Sequence, residues 1–213
     1  MIAAVHEGMA RGQAERLIPL IEAAMAEAGT GWGDLAGIGV GTGPGNFTGV
    51  RIAVAAARGM ALARALPAAG VSRFETAAEG RAGRWLVVLP GRAGMIAAQA
   101  VEDGIGAGAA IELVCGKTLP AGFAAHCVGV IDVAAAPLPS LPSLPQTAGA
   151  GMTAPLVIIP VPEADPAPAI ARIAAARIAA GRVTRDGGPR PAPLYLRPPD
   201  ATPPARPGPP MLP

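Results

Sequence analysis

The chain has 213 residues, a formal charge of +2 and 3% aromatic residues, and its positive mean hydropathy comes mainly from alanine. This length suits one ordinary domain or two small lobes, with a core of small side chains. The charge is too small, and too evenly spread, to indicate a dedicated nucleic-acid binder. Neither a signal sequence nor an apolar run of roughly 18–20 residues is present, so we predict a cytoplasmic protein without membrane contact.

Cysteine and histidine give no sign of a metal or nucleophilic site. Cys115 and Cys127 do not form a disulfide framework, and neither cysteine has the paired spacing of a zinc site. His6 and His126 are far apart in sequence and are interpreted as structural or surface residues. His126 and Cys127 are neighbours on a predicted strand, where their side chains would face opposite sides. We therefore predict no metal site and no nucleophilic cysteine–histidine pair, and we expect no cofactor.

The first half of the chain predicts an alternation of helices and strands. Apolar residues at three- and four-residue steps predict a helix over residues 11–28, in which Pro19 makes a kink or a late first turn. A buried strand over residues 34–40 and a glycine-rich turn follow. Asn46 or Thr48 can cap a second, alanine-rich helix that runs to about residue 65. A short strand over residues 68–71 and a helix start over residues 72–79 complete this half.

The second half favours short strands, in part as antiparallel hairpins. Its predicted strands cover residues 85–89, 95–101, 109–113, 126–133 and 155–161, and residues 167–180 form an alanine-rich helix. Proline dominates from residue 189 onward, which indicates an extended strap. The alternation of elements predicts an α/β layered architecture, with a first lobe at residues 1–80, a second lobe at 81–188 and the proline-rich strap at 189–213.

The glycine-rich turn has two possible interpretations. It contains Gly41, Gly43, Pro44, Gly45, Asn46, Thr48 and Gly49. Such a turn between strand and helix can hold an anion against helix N–H groups. It can equally be a tight connection that needs glycine for its dihedral angles. The turn lacks the Gly-Lys-Ser/Thr ending of a P-loop, so no lysine is placed for a β- or γ-phosphate.

Several motifs in order along the chain resemble the bacterial TsaB family, also called YeaZ. They are Arg11-Gly-Gln-Ala-Glu-Arg-Leu in the first helix, Gly43-Pro-Gly-Asn-Phe-Thr-Gly-Val-Arg-Ile at the turn, Arg58-Gly-Met-Ala in the second helix, Gly70-Val-Ser-Arg-Phe-Glu after it, and Pro193-Leu-Tyr-Leu-Arg near the end. The resemblance is dense over roughly residues 8–80 and thinner, but colinear, to about residue 204.

This resemblance implies a two-lobed fold of the actin, sugar-kinase and Hsp70 (ribonuclease H-like) type. It also implies a non-catalytic dimerisation and activation subunit. Such a subunit pairs with the catalytic subunit TsaD and, with the ATPase TsaE, serves threonylcarbamoylation of adenosine 37 in ANN-decoding tRNAs. The tRNA would be contacted only indirectly. When TsaD is absent, the first two helices would form a homodimer.

The family match and the small residues of the second helix together predict a partner interface on the first two helices. Small side chains allow another helix to approach closely, and Arg51 and Arg58 could hold the rim of an interface or an acidic partner. The alternative is that the alanines pack inside the lobe and the arginines are solvated. The predicted interface consists of Arg11, Glu15, Arg16, Leu17, Phe47, Arg51, Val54, Ala55, Arg58 and Met60.

The chain departs from the family pattern in two places. Family members begin with a strand like Ile-Leu-Ala-Ile-Asp-Thr-Ser, and with a second strand, before the first helix, whereas Met1 lies almost upon that helix here. The first lobe is therefore expected to be truncated, with an exposed sheet edge, and a misassigned start is the favoured explanation. The family's Asp-Ala-Arg-x-x-x-x-Tyr segment keeps only Arg92, which puts a ligand role of that segment in doubt.

Two other functions remain open at this stage. An actin-like phosphotransferase or ATP hydrolase acting alone would require the glycine-rich turn for turnover, but the missing aspartate strand and lysine argue against it. A truncated, inactive paralogue is the third possibility, favoured by the missing start.

Overall fold

The computed structural model describes residues 2–9, 11–91, 93–114, 120, 127, 129–132, 157–160 and 165–196. Four α-helices lie within these ranges: α1 (Gln13–Glu27), α2 (Phe47–Arg64), α3 (Arg73–Ala77) and α4 (Ala167–Ala179). The described strands are β1 (Ile38–Gly43), β2 (Ala68–Ser72), β3 (Arg84–Pro90), β4 (Met95–Glu102), β5 (Ile105–Val114), β6 (Gly129–Asp132) and β7 (Val157–Pro160).

Helix α1 matches the predicted first helix. It runs through Pro19 without ending there, and Gly29 closes it in the left-handed region, at φ 65°. Its apolar residues recur on one side, yet none of its side chains is buried. A single-turn 3-10 helix (Trp32–Asp34) follows, so the predicted strand over residues 34–40 begins later, at Ile38.

The first sheet has two parallel strands, β1 and β2, and helix α2 covers one of its faces. Val40 packs against Val54 and Ala57 of α2, and all three side chains are buried. Asn46 caps α2, because its Oδ1 accepts hydrogen bonds from the backbone N–H groups of Thr48 (3.0 Å) and Gly49 (3.2 Å). The asparagine is thus the cap residue of the two that the sequence allowed.

The other face of the first sheet is covered by α4. A methyl group on Gly39 would lie 2.7 Å from the Cβ of Ala174, and one on Gly41 would lie 3.1 Å from the Cδ1 of Ile170. Ala69 and Val71 of β2 pack on the same helix. The glycines of β1 therefore let α4 approach the sheet closely. Helix α4 lies in the range that the sequence assigned to the second lobe, and it packs on the first sheet.

The second sheet has five strands in the order β5-β4-β3-β6-β7. Strands β3, β4 and β5 are antiparallel neighbours, as the hairpin prediction expected, whereas β6 and β7 continue the sheet parallel to β3. Phe74 and Ala78 from the α3 segment pack on Val87, Leu89 and Val101. Helix α3 thus joins the end of the first sheet to the core of the second.

The predicted elements of the second half are largely confirmed. Strands β3 and β4 extend the predicted ranges by one or two residues, and β5 begins at Ile105 instead of residue 109. Strands β6 and β7 and helix α4 lie inside their predicted ranges. The predicted roles of Arg92, Cys115, His126 and the tail beyond residue 196 concern positions outside the described residues.

Candidate functional site

The glycine-rich turn is occupied by contacts of the protein's own chain. Asn46 already uses the free N–H groups of the first turn of α2 that an anion would need. Gly43 has a φ of 93°, and Gly39 and Gly41 before it lie under α4. Glycine is needed here for close packing and for a left-handed backbone. The geometry favours the interpretation of the turn as a tight connection.

Helix α2 presents two different surfaces to solvent. One borders α1 and forms a shallow groove, the α1 groove, of about 270 Å³. The guanidinium of Arg64 lies 5.3 Å from the centre of the Trp32 ring at its edge, as a cation–π contact. The α1 groove is lined by Ile18, Glu22, Trp32, Met60, Ala63 and Arg64.

The opposite surface of α2 borders the segment that leads into the C-terminal strap. Here Arg58 and Leu62 of α2 face Arg185, Arg190 and neighbouring residues across an open cleft of about 460 Å³, which we name the strap cleft. The side chain of Leu62 is 86% exposed. The strap cleft is lined by Arg58, Gly59, Ala61, Leu62, Ala65, Leu66, Ala68, Val183, Thr184, Arg185, Asp186, Gly187, Gly188, Pro189, Arg190 and Pro191.

An aromatic stack fixes the strap beside the start of α2. The guanidinium of Arg51 lies 3.9 Å from the centre of the Phe47 ring, and its Nε donates a hydrogen bond of 2.9 Å to the hydroxyl of Tyr195. The two rings are 5.5 Å apart. The backbone N–H of Leu194 also donates to the carbonyl of Thr42, at 2.8 Å. Arg51 is therefore engaged within the chain, and Tyr195 anchors the strap.

Comparison with known proteins assigns the chain to a family. A family model described as TsaD, tRNA N6-adenosine threonylcarbamoyltransferase, matches residues 5–118, which is more than half of the chain. The chain belongs to this family. Its match to the TsaB protein of Escherichia coli K12, a tRNA threonylcarbamoyladenosine biosynthesis protein, is 34% identical over 70 residues. That match spans 33% of this chain and 30% of the relative, so the chain matches less than a third of that protein's length.

Solved structures share the fold. An uncharacterised Pseudomonas aeruginosa protein, described as similar to peptidase YeaZ, superposes with a TM-score of 0.61 at 24% identity, over 92% of this chain and 93% of that one. YeaZ from the same organism gives 0.60 at 23% identity, over 89% and 87%. The predicted α/β fold of the actin-like, ribonuclease H-like type is confirmed. The truncation of its first lobe stays a prediction.

The structure divides the predicted partner interface of this TsaD-family member into separate parts. Val54 is 3% exposed and belongs to the core, so its side chain is not available to a partner. Met60 lies in the α1 groove and Arg58 in the strap cleft. The remaining interface residues are exposed or partly exposed, on α1 and its start (Arg11, Glu15, Arg16, Leu17) or on the first half of α2 (Phe47, Arg51, Ala55). Arg16 is also paired with Glu7, at 2.8 Å.

A buried ion pair that the sequence did not indicate joins the two sheets. Arg177 of α4 donates to a carboxylate oxygen of Glu75 at 2.7 Å and to the carbonyl of Gly70 at 2.6 Å. Glu75 also accepts from the N–H groups of Ser72, at 2.8 Å, and of Gly106 in β5, at 3.2 Å. The carboxylate thus holds β2, α4 and the second sheet together. The Glu75 position lay within a family motif, but nothing in the sequence paired it with Arg177.

Cys127 lies beside Arg84 and is partly exposed. Burial raises the pKa of its thiol above the ordinary value, and the neighbouring Arg84 opposes this to a smaller extent. A raised pKa keeps the sulfur protonated and weakly nucleophilic at neutral pH. Among the described residues, no group of three or more His, Cys, Asp or Glu side chains could hold a metal ion. No helix in the described ranges is long and apolar enough to cross a membrane.

Proposed function

We propose that the chain is a protein-binding subunit of the machinery that makes threonylcarbamoyladenosine at position 37 of ANN-decoding tRNAs. Membership of the TsaD family and similarity to E. coli TsaB support this role. The catalytic partner would be a TsaD subunit, assisted by the ATPase TsaE, and this chain would carry no catalytic residue itself. In the absence of TsaD the same surface would join two copies of the chain.

The observation that carries the proposal is the open apolar side of α1. The helix has a repeating apolar pattern whose side chains are only partly covered, and Ile18, at the edge of this pattern, is 39% exposed. Amphipathic helices are ordinarily stabilised by burying their apolar side. A second helix pair packed on the α1 groove would bury Ile18 and Met60 and leave the charged residues at the rim. We therefore place the TsaD-binding surface on the α1 groove.

The alternative of a stand-alone ATP hydrolase or phosphotransferase has less support. Its phosphate site would be the glycine-rich turn, where Asn46 already accepts the hydrogen bonds of the Thr48 and Gly49 amides. Gly39 and Gly41 are explained by the approach of α4. An inactive paralogue remains the second alternative, and the same experiment separates it from an active subunit.

The test uses TsaD of the same organism and the full chain. We expect the wild-type chain and TsaD to co-elute in size-exclusion chromatography, and Ile18→Glu with Met60→Glu to abolish co-elution because two carboxylates would be buried. Ala109→Glu, on exposed β5, is the matched control and should leave the complex intact. In cells that depend on this chain, the variant with both Ile18→Glu and Met60→Glu should lower the amount of threonylcarbamoyladenosine, measured by mass spectrometry of tRNA nucleosides. Ala109→Glu should leave that amount unchanged.

Two results would contradict the proposal. If the wild-type chain neither binds TsaD nor restores threonylcarbamoyladenosine, the subunit role is wrong and the inactive paralogue is favoured. If the isolated chain hydrolyses ATP and Gly45→Val in the glycine-rich turn removes that activity, the stand-alone enzyme is favoured instead.

A further inference from the structure

We propose that the strap cleft is a second docking site, which binds a short acidic peptide segment carrying an aliphatic side chain. This surface lies on the side of α2 away from the α1 groove, and its lining shares no residue with it. The inference concerns a different partner contact from the TsaD-binding surface proposed above. It stands or falls independently of that proposal.

Charge is the first argument for an acidic occupant. Arg58 and Arg190 line the cleft, and their side chains form no hydrogen bond or ion pair with any described residue. Arg185 reaches only Asp186, at 3.6 Å, and both side chains are largely exposed. Three arginines and one aspartate thus leave the lining with an excess of positive charge. Arginine is well suited to carboxylates, since its planar group can donate two parallel hydrogen bonds to one of them.

The apolar part of the lining is the second argument. Leu62 projects into solvent with 86% of its surface exposed, and Ala65, Leu66 and Pro189 lie beside it. An exposed leucine among other apolar lining residues is a suitable anchor site for an aliphatic side chain of a partner. The arginines and the apolar residues of the lining therefore match a peptide that alternates acidic and aliphatic residues.

The third argument is the rigidity of the cleft wall that faces α2, which residues 183–191 form. Beyond Pro191, the strap is fixed by the hydrogen bond from Leu194 to Thr42 and by the contact of Tyr195 with Arg51. Within the wall, the backbone N–H of Thr184 donates to the carbonyl of Gly187 at 3.0 Å. A wall held at several points loses little conformational entropy when a ligand binds.

The same features favour a peptide over RNA. RNA-binding grooves combine backbone-tracking cations with aromatic side chains on which bases stack. No aromatic residue lines the strap cleft, and its lining contains aliphatic residues such as Leu62, Leu66 and Val183. RNA is therefore the competing occupant to be examined in the same experiment.

The test begins with a displayed library of random short peptides, selected on the full wild-type chain after depletion on the Arg58→Glu/Arg190→Glu chain. We expect the retained peptides to carry net negative charge and at least one Leu, Ile or Val. A fluorescent copy of the consensus peptide is then titrated with the wild-type chain and single variants. Arg58→Glu and Leu62→Ser should each weaken its binding about tenfold or more. The matched control Arg182→Glu, an exposed arginine outside the lining, should bind as the wild type does.

Each other outcome overturns the proposal. It is wrong if no peptide is retained, if the retained peptides are neutral or basic, or if Arg58→Glu and Leu62→Ser bind the consensus peptide unchanged. It is also wrong if an oligouridine of similar length displaces the peptide and binds more tightly through Arg58. Circular dichroism of each variant confirms that the fold is retained, and co-elution with TsaD should be unaffected by Leu62→Ser.

Discussion

Replacing Arg177 with methionine tests whether the ion pair with Glu75 holds the two sheets together. Methionine keeps an unbranched apolar stem but removes the guanidinium, so the hydrogen bonds to Glu75 and to the carbonyl of Gly70 are both lost. The remaining Glu75 carboxylate is only 12% exposed and retains the N–H donors of Ser72 and Gly106. Its negative charge would be left without a cation in a poorly solvated position.

The expected loss follows from this burial. Removing one partner of a buried ion pair costs about 3–5 kcal/mol, and the residual exposure of both side chains places this pair at about 3 kcal/mol. For a chain of this size, such a loss lowers Tm by roughly 6–12 °C. Urea denaturation followed by circular dichroism gives the free energy of unfolding, and calorimetry gives Tm.

A second ion pair on the same helix provides the control. Arg172 donates to both carboxylate oxygens of Glu79 at 2.8 and 2.6 Å, so its geometry is at least as good. Its side chain is 61% exposed, however, and water screens the interaction. We expect Arg172→Met to unfold close to the wild type. Equal losses for Arg172→Met and Arg177→Met would refute the argument from burial, as would an Arg177→Met variant as stable as the wild type.

The remaining predictions concern packing and thiol chemistry. Gly39→Ala should lower the free energy of unfolding by about 1–3 kcal/mol, since its methyl group would lie 2.7 Å from Ala174. Gly59→Ala should raise the free energy of unfolding by about 0.5–1 kcal/mol, because the new methyl group lies in open space within helix α2. Equal urea midpoints for Gly39→Ala and Gly59→Ala would contradict the packing argument. In a Cys115→Ser chain, iodoacetamide should modify Cys127 more slowly in the folded state than in urea at the same pH. The reason is that burial raises the pKa of the Cys127 thiol in the folded state. Equal rates would show a fully exposed, ordinary thiol.

The elements that carry strong local signals could be predicted from the sequence. The apolar pattern of α1, the cap at Asn46 and the strand segments of β3 and β4 are local signals, and the structure agrees with them closely. Phe47 and Val54 are seven residues apart and therefore share one face of α2, yet Phe47 is 48% exposed, whereas Val54 is buried. The first turn of α2 projects towards the strap, and Phe47 stacks there on Arg51. Helical periodicity predicts which residues share one face of a helix. It does not predict how far along the helix other elements cover that face.

The contacts between distant segments could not be predicted. Glu75 and Arg177 are 102 residues apart, and neither position has a neighbouring signal that names its partner. The same holds for Arg51 and Tyr195, separated by 144 residues, so an arginine expected at a partner surface is instead held by the strap. The glycine-rich segment left an anion site and a tight connection both open, and the group that approaches its glycines in β1 is helix α4, far away in the sequence. Each of these features depends on tertiary packing.

The packing of α4 on β1 has a consequence for the order of folding. Strand β1 ends at Gly43, but the helix that covers its glycine face begins at Ala167. During synthesis, a two-stranded sheet covered on one face would be marginally stable while most of the chain is still being made. The lobe that begins the chain would therefore be the last to close, after the second sheet has formed. A chain ending before Ala167 would lose the lobe that carries the α1 groove, although every residue of that groove would still be present.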